Sequence, residues 1–318
     1  MPARSTDRAT PPQRREAAFV RAVHGGEPFL VKIALDAGIL TRQDIRSRFR
    51  RVHPRVYVRK STELSPAQKI RAAWLWGGSG SVICGGAAAY LTGEEYFGEE
   101  LVDDEVQLWR STWRHAPAGI VVRKWSSAPE WVQYHGMAVT TPARTAIDLA
   151  RHLTSDVRAV AALDSMCRTG RTDPDAIAAE AFTMSGQVGV RRVLELLPRV
   201  DPLAESPKES ELRLIMRSTD LPALESQVEV RDGVGALVSR LDLGNREWKV
   251  GLQYDGHEHL TRARRDGDSV AMLRLPALGW EVRRVTQGML HTPQTLTRFV
   301  RGAFEKQGWD GQGAGRRG

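Results

Sequence analysis

The chain has 318 residues, of which 41% are hydrophobic, and its 46 Lys and Arg against 38 Asp and Glu leave a formal net charge of +8. That is room for about two or three domains with real cores, and the positive balance favours polyanionic partners. No apolar run is long enough to cross a bilayer, the polar start MPARSTDRATPPQRRE has no signal-peptide core, and Cys84 and Cys167 lack metal-ligand spacing; we expect no membrane partner and a cytoplasmic protein with reduced thiols.

In chain order, residues 1–17 read as disordered and 18–62 as the first ordered block. Phe29–Ala37 is apolar enough for a short helix, with Gly38 as its stop. Thr41-Arg42-Gln43-Asp44 is a helix start, with Thr41 as N-cap and Asp44 three residues on. Leu40 and Ile45 flank the cap as a hydrophobic staple. Arg42, Arg46 and Arg50 then follow a spacing of four, reinforced by Arg48 and Arg51, and Val52–Lys60 is hairpin-like with Pro54 at the bend. Two helices, an arginine stripe and a basic ribbon form the layout of a winged helix-turn-helix, which places its second helix in the major groove. The candidate DNA contacts are Arg42, Arg46, Arg50, Arg51 and Arg55; the plainer reading is a helical pair with a solvated arginine face. Leu35–Arg42 and Arg51–Val58 resemble the N-terminal winged helix of AbiEi-type antitoxins.

Residues 63–200 read as a mixed α+β middle domain. Ser65-Pro66 opens a helix that Gly77–Gly80 breaks. Cys84–Leu91, rich in glycine and alanine, suggests close helix packing, and it lacks the fingerprint of a phosphate-binding loop. Val106–Trp109 and Ile120–Trp125 read as strands. Thr141 and Pro142 start a helix that buries Ile147, Ala150 and Leu153 and sets Arg144 and Asp148 four apart for a structural pair. This segment resembles the middle region of AbiEi-type proteins, which implies a cognate toxin as partner. Further helices are expected over Val157–Thr169, Pro174–Phe182 and after Gly189, and Pro198–Pro207 reads as a boundary.

The last ordered block is 203–306, with 307–318 as a disordered tail. Ser206-Pro207-Lys208-Glu209 starts a helix, and Glu209 has the position of a capping-box partner. Val228 and Val230 belong to a strand, Asp232–Gly235 to a turn, and Leu237–Leu243 to the returning strand. From Trp248 to Asp255 the chain alternates, with Val250, Leu252 and Tyr254 on one face and Lys249, Gln253 and Asp255 on the other. A helix over Val270–Leu278, a strand over Trp280–Val285 and a final helix from Pro293 complete the block, an order that suits an α/β sandwich.

Asp242, Gln253-Tyr254-Asp255-Gly256 and His259 resemble the module related to very-short-patch-repair endonucleases, of the restriction-endonuclease-like PD-(D/E)xK superfamily. The resemblance implies a catalytic set of Glu209, Asp242, Gln253, Asp255 and His259. Asp242 and Asp255 would be ligands of Mg²⁺ (or Mn²⁺), which would polarise a DNA phosphodiester, and His259 would move a proton. Gln253 stands where the family commonly has Glu, and Asp255 where the superfamily has lysine. Two functions follow: a metal-dependent endonuclease delivered to DNA by the winged helix, or an antitoxin-like DNA-binding regulator whose nuclease fold is inactive. The overall class expected is α+β, in several domains.

Overall fold

The computed structural model describes residues 19–112, 115–124, 128–255 and 273–311. The expected disorder of 1–17 and most of the C-terminal tail lies outside these residues, as does His259. The chain divides into two compact units, residues 1–145 and 146–318. Among the described residues both helices and sheets occur in each unit, so the class is α+β, as expected.

In the first unit, helical residues 19–24 (α1) precede β1 (Phe29–Leu30), α2 (Val31–Asp36), α3 (Arg42–Arg48), β2 (Phe49–His53) and β3 (Val56–Arg59). The strands form an antiparallel sheet in the order β1-β3-β2. The helix expected from Phe29 begins two residues later, because Phe29 pairs with Tyr57 and packs edge-on against Phe49 at 5.2 Å. Around α3 the local chemistry holds: Thr41 and Asp44 form a reciprocal capping box, and Leu40 and Ile45 share one core cluster. The arginine stripe is shorter than its spacing suggests. Phe49 turns to extended backbone and is buried, so Arg50 and Arg51 are strand residues paired with Val58 and Tyr57.

The same unit continues with α4 (Pro66–Gly77), β4 (Ser81–Cys84), α5 (Gly85–Leu91), α6 (Phe97–Asp104), β5 (Val106–Arg110), β6 (Ile120–Arg123), β7 (Trp131–Tyr134) and β8 (Met137–Thr140). Ser65 and Gln68 cap α4, and Gly78 at φ 81° ends it. The five strands order as β6-β5-β4-β8-β7, with β4 parallel to β8 and β5 parallel to β6. The small-residue run after Cys84 does bring helices together. A Cβ on Gly98 of α6 would lie 2.5 Å from the backbone nitrogen of Tyr90 in α5.

The division between units falls inside α7 (Pro142–His152). The second unit then holds α8 (Asp156–Arg168), α9 (Pro174–Thr183), α10 (Val190–Leu196), α11 (Pro207–Arg217), β9 (Glu225–Arg231), β10 (Leu237–Asn245), β11 (Val250–Asp255), β12 (Glu281–Thr286), α12 (Gln287–Leu290) and α13 (Pro293–Lys306). Asp148 of α7 pairs with Arg151 at 3.3 Å, both side chains being at most 5% exposed. The chain packs across the expected boundary at Pro198–Pro207. Asp164 of α8 meets Arg213 and Ser210 of α11 at 2.7 and 2.6 Å, deep inside this unit.

The sheet order is β12-β11-β10-β9, antiparallel except for the parallel pair β11–β12. Leu212 and Met216 of α11 and Leu296, Val300 and Phe304 of α13 cover the face that presents Leu243, Val250, Leu252 and Val285. The other face packs Val228, Val230 and Leu241 against Leu275 and Trp280. The helix expected to Leu278 ends as a 3₁₀ turn over Pro276–Leu278, since Pro276 has no N–H to continue an α-helical ladder. Trp309, within the stretch expected to be a disordered tail, is 3% exposed and packs on Phe304.

Candidate functional site

The basic surface is built from α3 and the β2–β3 ribbon. The capping box fixes the start of α3, and Ile45 anchors its inner side, so Arg42 and Arg46 face solvent. Arg51 is exposed on β2. None of these three side chains makes a hydrogen bond or ion pair with another described residue. Arg48 pairs with the Asp44 carboxylate at 3.5 Å, and the remaining basic side chains of the ribbon are tethered to main-chain carbonyls. Arg50 Nη2 donates to Thr62 O at 2.8 Å, Arg55 Nη2 to Trp76 O at 3.1 Å, and Arg59 Nη1 to His24 O at 2.9 Å. Lys60 Nζ donates to Arg46 O at 2.9 Å, tying the ribbon to the helix. Arg55 also has φ 72° at the ribbon's bend, a left-handed backbone rare in side-chain-bearing residues. The five candidate DNA contacts therefore separate into three unengaged cations and two whose guanidinium groups also hold the ribbon in place.

The predicted carboxylates meet only in part. Glu209 caps its own helix, with Oε1 accepting from Ser206 Oγ at 3.0 Å and Oε2 from Glu205 N at 2.9 Å. Its Oε2 also accepts from Gln227 Nε2 at 2.9 Å. Gln227 sits in β9 with φ 53°, and this break in the strand turns its amide toward α11. Asp242 lies opposite in β10 and accepts from Tyr254 N at 2.6 Å, where the ladder between β10 and β11 stops at Leu243 and Leu252. Burial and then the negative charge of Glu209 push the Asp242 carboxyl up to about 7, against the pull of the Tyr254 amide. Burial likewise raises Glu209.

Gln253 and Asp255 alternate away from Tyr254, which packs in the core under α11 and α13. Their strand neighbours are Arg284 and Thr286. The structure thus brings Glu209 to Asp242, sets Gln253 and Asp255 on the side of β11 away from Tyr254, and leaves His259 outside the described residues. Among the described residues there is no group of three or more His, Cys, Asp or Glu side chains able to hold a metal ion. Gln227 and the Tyr254 amide are partners that no sequence signal announced. A left-handed glutamine inside a strand has no pattern to betray it.

With this geometry in place, comparison with known proteins adds the following. Residues 86–199 match the AbiEi antitoxin C-terminal domain family, where the middle region was expected to be AbiEi-like. Two curated relatives from Mycobacterium tuberculosis strains, the uncharacterised proteins Rv2248 and MT2308, are each 32% identical over 209 residues, covering 64% of this chain and 74% of theirs. The chain belongs to their family. Among solved structures, the RV2827C protein of M. tuberculosis is similar at 13% identity and a TM-score of 0.37, over 71% of this chain and 90% of that one. The antitoxin-domain match begins after the arginine helix and ends before Glu209. It runs from α5 to the turn after α10, across the division between the two units. Among the described residues no helix is long and apolar enough to cross a membrane.

Proposed function

We propose that this chain is a cytoplasmic DNA-binding regulator of the antitoxin type, with a cognate toxin as partner. The observation that carries the reading is the set of unengaged cations at Arg42, Arg46 and Arg51, displayed on a capped helix and the strand that follows it. Helix, turn, second helix and basic ribbon in this order make a winged helix, with α3 as the element for the major groove. The match to an antitoxin domain supports the same reading from another part of the chain. Replacing Arg42 and Arg46 by Ala should weaken binding to duplex DNA and flatten the salt dependence by about one unit of slope for each phosphate that is no longer neutralised. Arg50→Ala should chiefly lower thermal stability, because it frees Thr62 O and not a DNA contact. A gel-shift titration at several salt concentrations, beside a thermal melt, reads both effects; unchanged affinity in the Arg42 and Arg46 variants would reduce the stripe to solvated surface.

One observation favours a second reading, in which the C-terminal part acts on phosphodiesters. Glu209 and Asp242 are two half-buried carboxylates whose charges raise each other's affinity for a proton, a repulsion that a divalent cation relieves. Such an ion would polarise a phosphate oxygen. The donor set fits it incompletely, since Gln253 is neutral and no third His, Cys, Asp or Glu among the described residues joins the pair in a metal-holding group. Supercoiled plasmid incubated with Mg²⁺ or Mn²⁺ stays intact on the first reading. On the second it is nicked by the wild type and spared by Asp242→Ala.

A further inference from the structure

Within the second unit, the end of α11, the chain leading into β9 and the inner side of β10 enclose a cavity of about 340 Å³. That is the size range of small-molecule sites. Met216, Leu221, Leu224 and Leu243 supply an apolar wall, and Arg213 and Arg217 project from successive turns of α11.

The charges around this cavity are matched except at one point. Glu225 pairs with Arg246 at 3.2 Å. Asp201 accepts from Ser226 Oγ at 2.6 Å and from Leu203 N at 3.0 Å. Arg213 donates from Nη2 to Asp164 and from Nη1 to Arg199 O, both at 2.7 Å. Arg217 is exposed and has no hydrogen bond or ion pair to another described residue. It lies in the last turn of α11, where the helix dipole favours a cation, and the nearby carbonyls have other donors: Ser218 Oγ donates to Ile215 O and Thr219 Oγ1 to Met216 O, both at 2.7 Å. The Arg213 side chain is 4% exposed and is fully committed to the protein, its Nε facing Asp201 at 3.7 Å, so Arg217 is the cation on this lining that is left for an occupant.

We propose that this cavity binds a small amphipathic monocarboxylate, with its apolar body against Met216, Leu221, Leu224 and Leu243 and its carboxylate on Arg217. A neutral molecule of the same shape would leave the Arg217 charge unused. A dianion such as phosphate would gain nothing from the apolar wall and would meet Asp201 and Glu225.

The test is calorimetric titration of the whole chain with sodium 3-phenylpropionate and, for comparison, with 3-phenylpropan-1-ol, which has the same body without charge. The acid is expected to bind with a Kd of about 1 mM or tighter, and the alcohol about tenfold more weakly, as fits the absence of a charge-assisted hydrogen bond. Arg217→Ala should bring the acid down to the level of the alcohol. Ala223→Phe, at an exposed position on the lining, should weaken both ligands, with circular dichroism and the melting temperature confirming that each variant is folded. No binding of the acid at about 10 mM, equal affinity for acid and alcohol, or an Arg217→Ala variant that binds the acid like wild type would each overturn the proposal.

Discussion

Asp242 is the residue whose environment differs most from water in its consequences. Its carboxyl, raised from 3.8 to about 7, stays protonated in the folded chain over a range where the unfolded chain has lost the proton. The unfolded state then binds fewer protons, so stability falls as pH rises from about 4 to about 7 and is insensitive to this group outside that window. Asp242→Asn keeps an acceptor for the Tyr254 amide and removes the repulsion from Glu209. The variant should melt at a higher temperature than wild type at pH 8, with the gap closing toward pH 4. Thermal melts across that range measure it; a variant that melts no higher than wild type at pH 8 would mean that neither burial nor the charge of Glu209 raises this carboxyl. Adding Mg²⁺ separates the two functional readings at the same residue, since only a bound cation raises the wild-type melting temperature at pH 8 and leaves Asp242→Asn unmoved. The grouping of Glu209 with Asp242 is implied only by the resemblance to the endonuclease module, since nothing in a helix start and a strand aspartate brings them together. That Glu209 also caps its own helix is visible, because Ser206 and Glu209 are three residues apart. That Gln253 and Asp255 share the side of β11 away from Tyr254 follows from strict alternation, and only the observed core shows which side Tyr254 takes.

At the scale of elements, what is local in chain distance is what the sequence makes readable. The starts of α3, α4 and α11 rest on hydrogen bonds between residues three apart, in Thr41–Asp44, Ser65–Gln68 and Ser206–Glu209. Where a boundary depends on a distant contact, pattern misleads. Arg50 continues the helical spacing of Arg42 and Arg46, but Phe49 is claimed by the ring of Phe29 and the strand begins there. The hairpin of β7 and β8 escapes notice for another reason: Trp131, Val132 and Gln133 are all exposed at a sheet edge, so no alternation marks the strand. The contact between α5 and α6 is a case in which composition does announce packing. Gly98 lies so close to the Tyr90 backbone that a methyl group has nowhere to go. Gly98→Ala should therefore destabilise the chain by roughly 1–3 kcal/mol, the usual cost of overpacking, despite the better helix propensity of alanine. A chemical-denaturation curve with an unchanged slope and a lower midpoint is the expected result; a midpoint at or above that of wild type would show that the two helices can part without cost.

For the whole molecule, the question is where the chain can be cut. Composition suggests a boundary at Pro198–Pro207, and family matching stops within it, at 199. The packing is continuous across it. Asp164 in α8 takes hydrogen bonds from Ser210 Oγ, Arg213 Nη2 and the Asp201 backbone amide, so one buried carboxylate holds α8, the chain just after residue 200 and α11 together. No short-range pattern reveals this, since Asp164 and Arg213 are separated by 49 residues. The two charges satisfy each other in a dry interior, and removing one strands the other, a loss of about 3–5 kcal/mol. Asp164→Ala should thus lower stability by that order, while replacement of the exposed Lys32, whose pair with Asp36 is open to solvent, should change it by no more than about 1 kcal/mol. The consequence for dissection is direct. A fragment of residues 203–311 would carry Arg213 without its partner and expose the face of α11 that α8 covers, and should be poorly folded by circular dichroism and hydrogen exchange. A fragment that begins at residue 146 retains Asp164 and should melt cooperatively. If the shorter piece melts as sharply as the longer one, the buried pair is dispensable and the carboxylate-bearing sheet is a domain in its own right.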